Sequence, residues 1–223
     1  MNEQKLREEI CRIGRLMYEK NMVVANDGNI SARLNDGTFL CTPTGVSKGL
    51  MTPEIICKVD EFGNVVDDMK TNIGFRESTG KLYKPSSEIK MHMRVYAKRP
   101  DVNAVVHAHP PYATTYAIAN EPLERPITAE AVLAIGRVPV AEYGTPSTTE
   151  IPDHVEKYVE EYNAVLLANH GALTWGKDLM STYMRMETVE FYARMLFQSE
   201  LLGRAKELGI EEVAKILKLN KPY

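Results

Sequence analysis

The stretch Asn103-Ala104-Val105-Val106-His107-Ala108-His109-Pro110-Pro111 orders the reading of the whole chain. Its apolar run predicts a buried strand over residues 103–109. The proline pair stops it, because proline has no N–H to give a strand ladder. Side chains at i and i+2 of a strand share a face, so His107 and His109 project together near its C-terminal end. Two imidazoles on one face make half of a zinc site, whose catalytic form commonly has three protein ligands and an open position. Hydrogen-bonded structural histidines explain the pattern equally well. A third candidate ligand lies in Ala168-Asn169-His170-Gly171, 61 residues after His109. It also follows an apolar strand, over 164–168, and precedes a glycine that lets backbone approach closely. His92, in a helix beside Arg94, reads as a surface or already satisfied side chain, and His154 as solvent-exposed.

Outward from this strand, residues 3–20 carry Leu6, Ile10, Ile13 and Met17 on one helical stripe. Asn35-Asp36-Gly37 between 30–34 and 38–42 signals a hairpin, and Glu61-Phe62-Gly63 between 55–60 and 64–67 a second. Pro85-Ser86-Ser87-Glu88 opens a helix running to about residue 98, with Ser86 or Ser87 as its cap. A short strand is expected over 138–143, then a helix over 150–162 with Pro152 in its first turn. A long helix over 178–203 and a shorter one over 204–218 close the chain. Hairpins in the first third and alternating strands and helices afterwards suggest a layered α/β domain with a mixed or mostly antiparallel sheet. With no linker visible, residues 1–223 read as one domain.

The 223 residues are 44% hydrophobic and 26% charged, with a net charge of −3, which excludes a disordered, collagen-like or coiled-coil chain. No basic run is present to displace counterions, so a nucleic-acid partner is not expected. Lys5, Arg7, Glu8, Glu9, Arg12 and Arg15 interrupt any apolar leader, and no window approaches a membrane span, so a cytoplasmic protein with no membrane partner is expected. Cys11, Cys41 and Cys57, without a CxxC, read as reduced thiols.

A second constellation has two readings, an anion site and plain helix capping. The N–H groups and partial positive charge of a helix start suit a phosphate, and the hydroxyls of Ser86 and Ser87 add donors. Ordinary capping explains the same residues. Gly28-Asn29 and Thr44-Gly45 are further turns with small or polar donors. None is a nucleotide-binding loop.

Gly28-Asn29-Ile30-Ser31, Thr42-Pro43-Thr44-Gly45, Pro85-Ser86-Ser87-Glu88, Val106-His107-Ala108-His109 and Asn169-His170-Gly171 together, and in this order, resemble the class II aldolase/adducin-head family, most of all its L-fuculose-1-phosphate aldolases. The resemblance runs from the first helix to the helix at 178–203. It implies a single three-layer α/β domain whose central, mostly antiparallel sheet lies between helices. It implies one Zn2+ per subunit (Mn2+ or Co2+ as alternatives) on His107, His109 and His170, and an acid/base at Glu88. It places substrate phosphate on Gly28, Asn29, Thr44, Gly45, Ser86 and Ser87. The implied reaction is reversible cleavage of a phosphorylated sugar, a ketose 1-phosphate, to dihydroxyacetone phosphate and a small aldehyde. The implied assembly is a homotetramer with active sites at subunit interfaces.

Three features depart from the family pattern. Its proton-donating tyrosine between the H-x-H motif and the next strand would fall near Thr128, yet no tyrosine stands between Tyr116 and Tyr143. Tyr223 is the candidate for the family's tail tyrosine. Residues 74–84 are longer than expected. A Schiff-base aldolase would need a desolvated lysine, and nothing in the sequence marks Lys48, Lys84 or Lys90 as buried. Within the family, an L-ribulose-5-phosphate 4-epimerase, a methylthioribulose-1-phosphate dehydratase and an oxo-tetronate phosphate decarboxylase remain rivals. A non-catalytic adducin-head-like module is the rival from another class.

Overall fold

The computed structural model describes residues 2–66 and 83–219. In chain order its helices are α1 (Glu3–Glu19), α2 (Ile89–Lys98), α3 (Pro111–Ala119), α4 (Ala129–Ala134), α5 (Glu150–Val159), α6 (Leu179–Leu201) and α7 (Ile210–Leu217). Its strands are β1 (Asn29–Arg33), β2 (Phe39–Cys41), β3 (Cys57–Val59), β4 (Ala104–Ala108), β5 (Val140–Ala141), β6 (Ala164–Leu167) and β7 (Gly171–Gly176). Among the described residues they form one sheet in the order β3-β2-β1-β4-β7-β6-β5. Every pairing is antiparallel except β5 with β6, so the expected α/β, mostly antiparallel architecture is the one observed.

The sheet separates two apolar layers because strand side chains alternate between faces. Ala104, Val106 and Ala108 of β4 join a core with α1, α3, α4 and α6, whereas Val105 joins a second core with α2 and α5. Helix α1 contributes the expected stripe, Leu6, Ile10, Ile13 and Met17, all buried, and the Asn2 side chain caps it by accepting from the Gln4 N–H. Each such side chain, withdrawn from water, contributes about 1.5–3 kcal/mol before ordering costs.

Several boundaries differ from the sequence expectation, each for a local reason. Helix α2 begins only at Ile89; the Ser86 hydroxyl accepts from the Glu88 N–H at 3.3 Å, and no side chain caps the helix itself. The second hairpin shrinks to β3 with one bridge, Val59 to Val65, closed by Asp60 accepting from the Phe62 and Asn64 N–H groups; its residue 67 lies outside the described residues. Residues 204–209 are not helical: Gly203 turns at φ +77° and α7 starts at Ile210. Helices α3 and α4 and strand β7 have no counterpart in the sequence reading. Pro111 does not merely stop β4; it starts α3, where its fixed φ and missing N–H suit the first turn. No helix among the described residues is long and apolar enough to cross a membrane.

Candidate metal centre and active site

The neighbours β4 and β7 bring the three histidines together. His107 is the second-last residue of β4 and fully buried, and His109 follows the strand, its backbone N–H donating to the Met22 carbonyl at 2.9 Å. His170 sits in the tight β6–β7 turn, which Asn169 makes possible by adopting φ +55°, a left-handed conformation that asparagine tolerates better than most residues. One nitrogen from each of His107, His109 and His170 lies within 4.8 Å of the others. A tetrahedral zinc with Zn–N of about 2.0–2.1 Å would set its ligand nitrogens about 3.3 Å apart, so the cluster has the size for such an ion.

Hydrogen bonding sharpens that fit. His107 Nδ1 lies 2.9 Å from the Ala172 carbonyl, which requires the proton on Nδ1 and leaves a lone pair on Nε2. His109 Nδ1 faces Asp27 Oδ2 at 3.4 Å, which likewise directs its Nε2 lone pair inward. The two Nε2 atoms are 3.0 Å apart, and two opposed lone pairs at that distance favour a cation between them. All three rings are held below the usual imidazole range. Burial is the main cause for each, pushing His170 down to about 4 and His107 well below normal, with neighbouring imidazoles adding to both. For His109 burial is partly opposed by Asp27. Neutral imidazole is the metal-binding form.

Glu88 closes the cluster. Its Oε2 accepts from Asn29 Nδ2 at 2.8 Å and lies 3.4 Å from His107 Nε2, and its Oε1 lies 3.2 Å from His170 Nε2. That Oε1 is buried without a hydrogen-bond partner among the described residues. Burial raises the Glu88 pKa and the Asn29 bond opposes it, a shift in the direction that suits a carboxylate exchanging protons with a substrate.

A cleft of about 220 Å³ adjoins these groups and gathers Gly28, Asn29, Thr44, Ser86, Ser87, Glu88, His109 and His170. Asn29 faces His107 across the β1–β4 ladder. Gly28 turns at φ +73° against the His107 carbonyl, where a Cβ would sit 2.9 Å from that oxygen. Gly45, beside Thr44, turns at φ +70° into open space but is not part of the cleft wall. Tyr223 lies outside the described residues, as does most of the long segment 74–84. Thr128, at the place of the missing tyrosine, spends its hydroxyl on capping α4, accepting from the Ala131 N–H at 3.2 Å.

His92 is not at the surface: it is buried, with Nδ1 2.7 Å from Ser31 Oγ. His154 is not fully exposed either, since its Nδ1 lies 3.1 Å from the Glu142 carbonyl and a quarter of its side chain reaches solvent. None of the three cysteines forms a disulfide, and Cys41 and Cys57 are buried. Two residues at the site escaped the sequence reading. Asp27 adjoins a recognised motif, but its contact with His109 exists only in the fold. Lys48, which nothing in the sequence marked as buried, is 1% exposed and lines the cleft.

The Class II Aldolase and Adducin N-terminal domain model matches residues 8–197. A 5-deoxy-D-ribulose 1-phosphate aldolase from Bacillus thuringiensis is 31% identical, covering 99% of this chain and 97% of that protein. A 3-oxo-tetronate 4-phosphate decarboxylase from Pectobacterium atrosepticum is 29% identical, covering 96% and 94%. Among solved structures, an L-fuculose 1-phosphate aldolase superposes with a TM-score of 0.84 at 30% identity, covering 97% of this chain and 96% of that one.

Proposed function

Because the chain belongs to the class II aldolase and adducin N-terminal domain family, we propose that it cleaves a ketose 1-phosphate reversibly to dihydroxyacetone phosphate and a small aldehyde, with Zn2+ on His107, His109 and His170. The observation that carries this reading is the meeting of three neutral imidazoles with a buried, proton-competent carboxylate at the mouth of a polar cleft. A divalent ion held there supplies Lewis acidity for the negative charge that develops on the substrate oxygens as the carbon–carbon bond breaks.

The chain's own groups do the rest. Glu88 moves the proton at the reacting carbon, and Asn29 holds its Oε2 in position. The hydroxyls of Thr44, Ser86 and Ser87, the Asn29 amide and the backbone around Gly28 and Gly45 hold the phosphate. Anchoring that end of the substrate fixes the carbonyl relative to the histidines, so the reaction proceeds from one bound geometry. Exposed Met184, Phe191 and Met195 on α6 are the kind of surface an assembly covers, and the active unit in this reading is a homotetramer with sites at its subunit interfaces. The tyrosine of the family has no counterpart near Thr128, so the aldehyde end differs from that of the fuculose enzymes.

A second reading, decarboxylation of a 3-oxo-tetronate 4-phosphate, is favoured by the end-to-end similarity to the Pectobacterium protein. It would use the same histidines and the same phosphate contacts. The deciding experiment incubates the metal-loaded protein with L-fuculose, L-rhamnulose, D-ribulose, 5-deoxyribulose and methylthioribulose 1-phosphates and with a 3-oxo-tetronate 4-phosphate, with and without EDTA, and measures dihydroxyacetone phosphate and carbon dioxide. EDTA-sensitive release supports the aldolase. Absence of release from every substrate, with carbon dioxide formed from the oxo-tetronate phosphate, overturns it in favour of the decarboxylase.

A further inference from the structure

We propose that Lys48 is the cationic positioning residue of the phosphate subsite, joining the two loops of the cradle and supplying the positive charge that a bound phosphate dianion requires. This rests on the sugar-phosphate reading of the cleft.

Among the described residues lining the cleft, the phosphate-facing groups of Gly28, Asn29, Thr44, Ser86 and Ser87 are all neutral, and Asp27 and Glu88 are acids; Lys48 is the one lysine or arginine there. Its Nζ donates to the Asn26 carbonyl at 2.9 Å and to the Val46 carbonyl at 2.7 Å. Asn26 leads into Gly28-Asn29 and Val46 follows Thr44-Gly45, so one ammonium group ties together the turns that carry four of the six phosphate contacts.

The root of the side chain is also fixed. Gly14 of α1 lies so close that a Cβ there would sit 2.8 Å from the Lys48 carbonyl oxygen. The Lys48 backbone therefore cannot move toward α1 without displacing that helix.

An ammonium buried without an acidic partner is costly, and no carboxylate among the described residues lies within ion-pair distance of Lys48. Two of its three protons are bonded. A phosphate in the cradle would provide the missing counter-charge. Burial lowers the Lys48 pKa to about 8, with Asp27 and Glu88 opposing, so the side chain stays cationic at neutral pH. Its engagement by two carbonyls and its burial set it apart from a Schiff-base lysine, which must present a free amine to a carbonyl carbon.

The experiment compares metal-loaded wild type with Lys48→Gln and Lys48→Met. Glutamine removes the charge and keeps two N–H donors, one atom shorter in reach; methionine, close to lysine in length, removes the charge and the donors together. Inorganic phosphate binding is measured by calorimetry, bound metal by elemental analysis, and KM and kcat on the ketose phosphate that wild type cleaves. In Lys48→Gln, phosphate affinity is expected to fall and KM to rise roughly tenfold to hundredfold, with kcat changed far less and metal content unchanged. Lys48→Met is expected to lose at least as much.

Wild-type phosphate affinity in folded Lys48→Gln would overturn the proposal, and so would failure of wild type to bind phosphate at all. Borohydride trapping of substrate on Lys48 would overturn it by assigning the residue to imine chemistry. Phosphate binding that depends on Lys48 in a protein that cleaves no ketose phosphate would uphold Lys48 and reject the aldolase instead.

Discussion

Gly171→Ala tests how tightly the backbone sets the metal centre. Gly171 opens β7 directly after His170, with the end of β4 against it. A Cβ built there would lie 2.4 Å from the Ala108 carbonyl oxygen and 2.6 Å from His109 Cδ2. The carbonyl belongs to β4 and can yield only by shifting the strand, whereas the His109 ring is a quarter exposed and can swing outward. To regain a carbon–carbon contact of about 3.5 Å the ring must retreat by about 0.9 Å. A metal site tolerates changes of about 0.2 Å in its ligand distances.

The substitution is therefore expected to cost about 1–3 kcal/mol of stability through overpacking and to weaken zinc or cobalt binding at least roughly tenfold. Competition against a chromophoric chelator measures the affinity, and far-UV circular dichroism the fold. Gly37→Ala is the control. It strains a φ of +85° in open space, far from the histidines in the hairpin turn, and should lower stability without touching the metal. Wild-type affinity in Gly171→Ala, or an equal loss in Gly37→Ala, would refute the reasoning.

Glu88→Gln is expected to keep its metal and lose roughly 100-fold to 10,000-fold in turnover; near-normal cleavage would remove Glu88 from proton transfer. His170→Ala should lower bound zinc more than roughly tenfold with the circular dichroism spectrum retained, and full retention by elemental analysis would place the third ligand elsewhere. Asp27→Ala leaves His109 Nδ1 without its carboxylate neighbour and should weaken metal binding about 10- to 100-fold, an effect checked by the same chelator competition. The EDTA-treated protein should lose thermal stability between pH 7 and pH 5. Burial holds His92 at about 3 and His170 at about 4 in the folded state, below the unfolded value of about 6.5. Depressed imidazoles contribute fully above pH 6.5 and lose that contribution as pH falls, by about 1.4 kcal/mol per unit for the fully buried His92. Glu9, Glu88 and Glu190, with raised values, act oppositely, but starting from the lower carboxylate range. A melting temperature unchanged over this interval would contradict the assigned burial.

The sequence alone determined what depends on periodicity and on residue type. The stripe of α1, the Asn35-Asp36-Gly37 hairpin, the β4 strand and the long α6 were legible because a 3.6-residue or two-residue period leaves its mark locally. The three histidines and Glu88 were legible because their spacing and flanking turns carried the family's order. Helix α3 was not: its solvent face carries Ile118 and Ala119, as apolar as the buried Ala113, Tyr116 and Ala117, so no amphipathic contrast shows in the sequence. Strand β7 was hidden by the glycines at both of its ends, which read as turn residues until pairing with β4 and β6 made them strand termini.

Only the tertiary structure could set Asp27 against His109, or place Glu88 between His107 and His170. Those contacts join residues 19 to 82 positions apart, across strands whose register is a property of the whole sheet. Lys48 is the sharpest case. Lysine is ordinarily a surface residue, and nothing in Val46-Ser47-Lys48-Gly49 says otherwise. Its burial follows from α1 pressing on its backbone at Gly14 while the Asn26 turn and its own loop at Val46 present their carbonyls to its ammonium group, a meeting of two distant segments with the lysine's loop that no local pattern encodes.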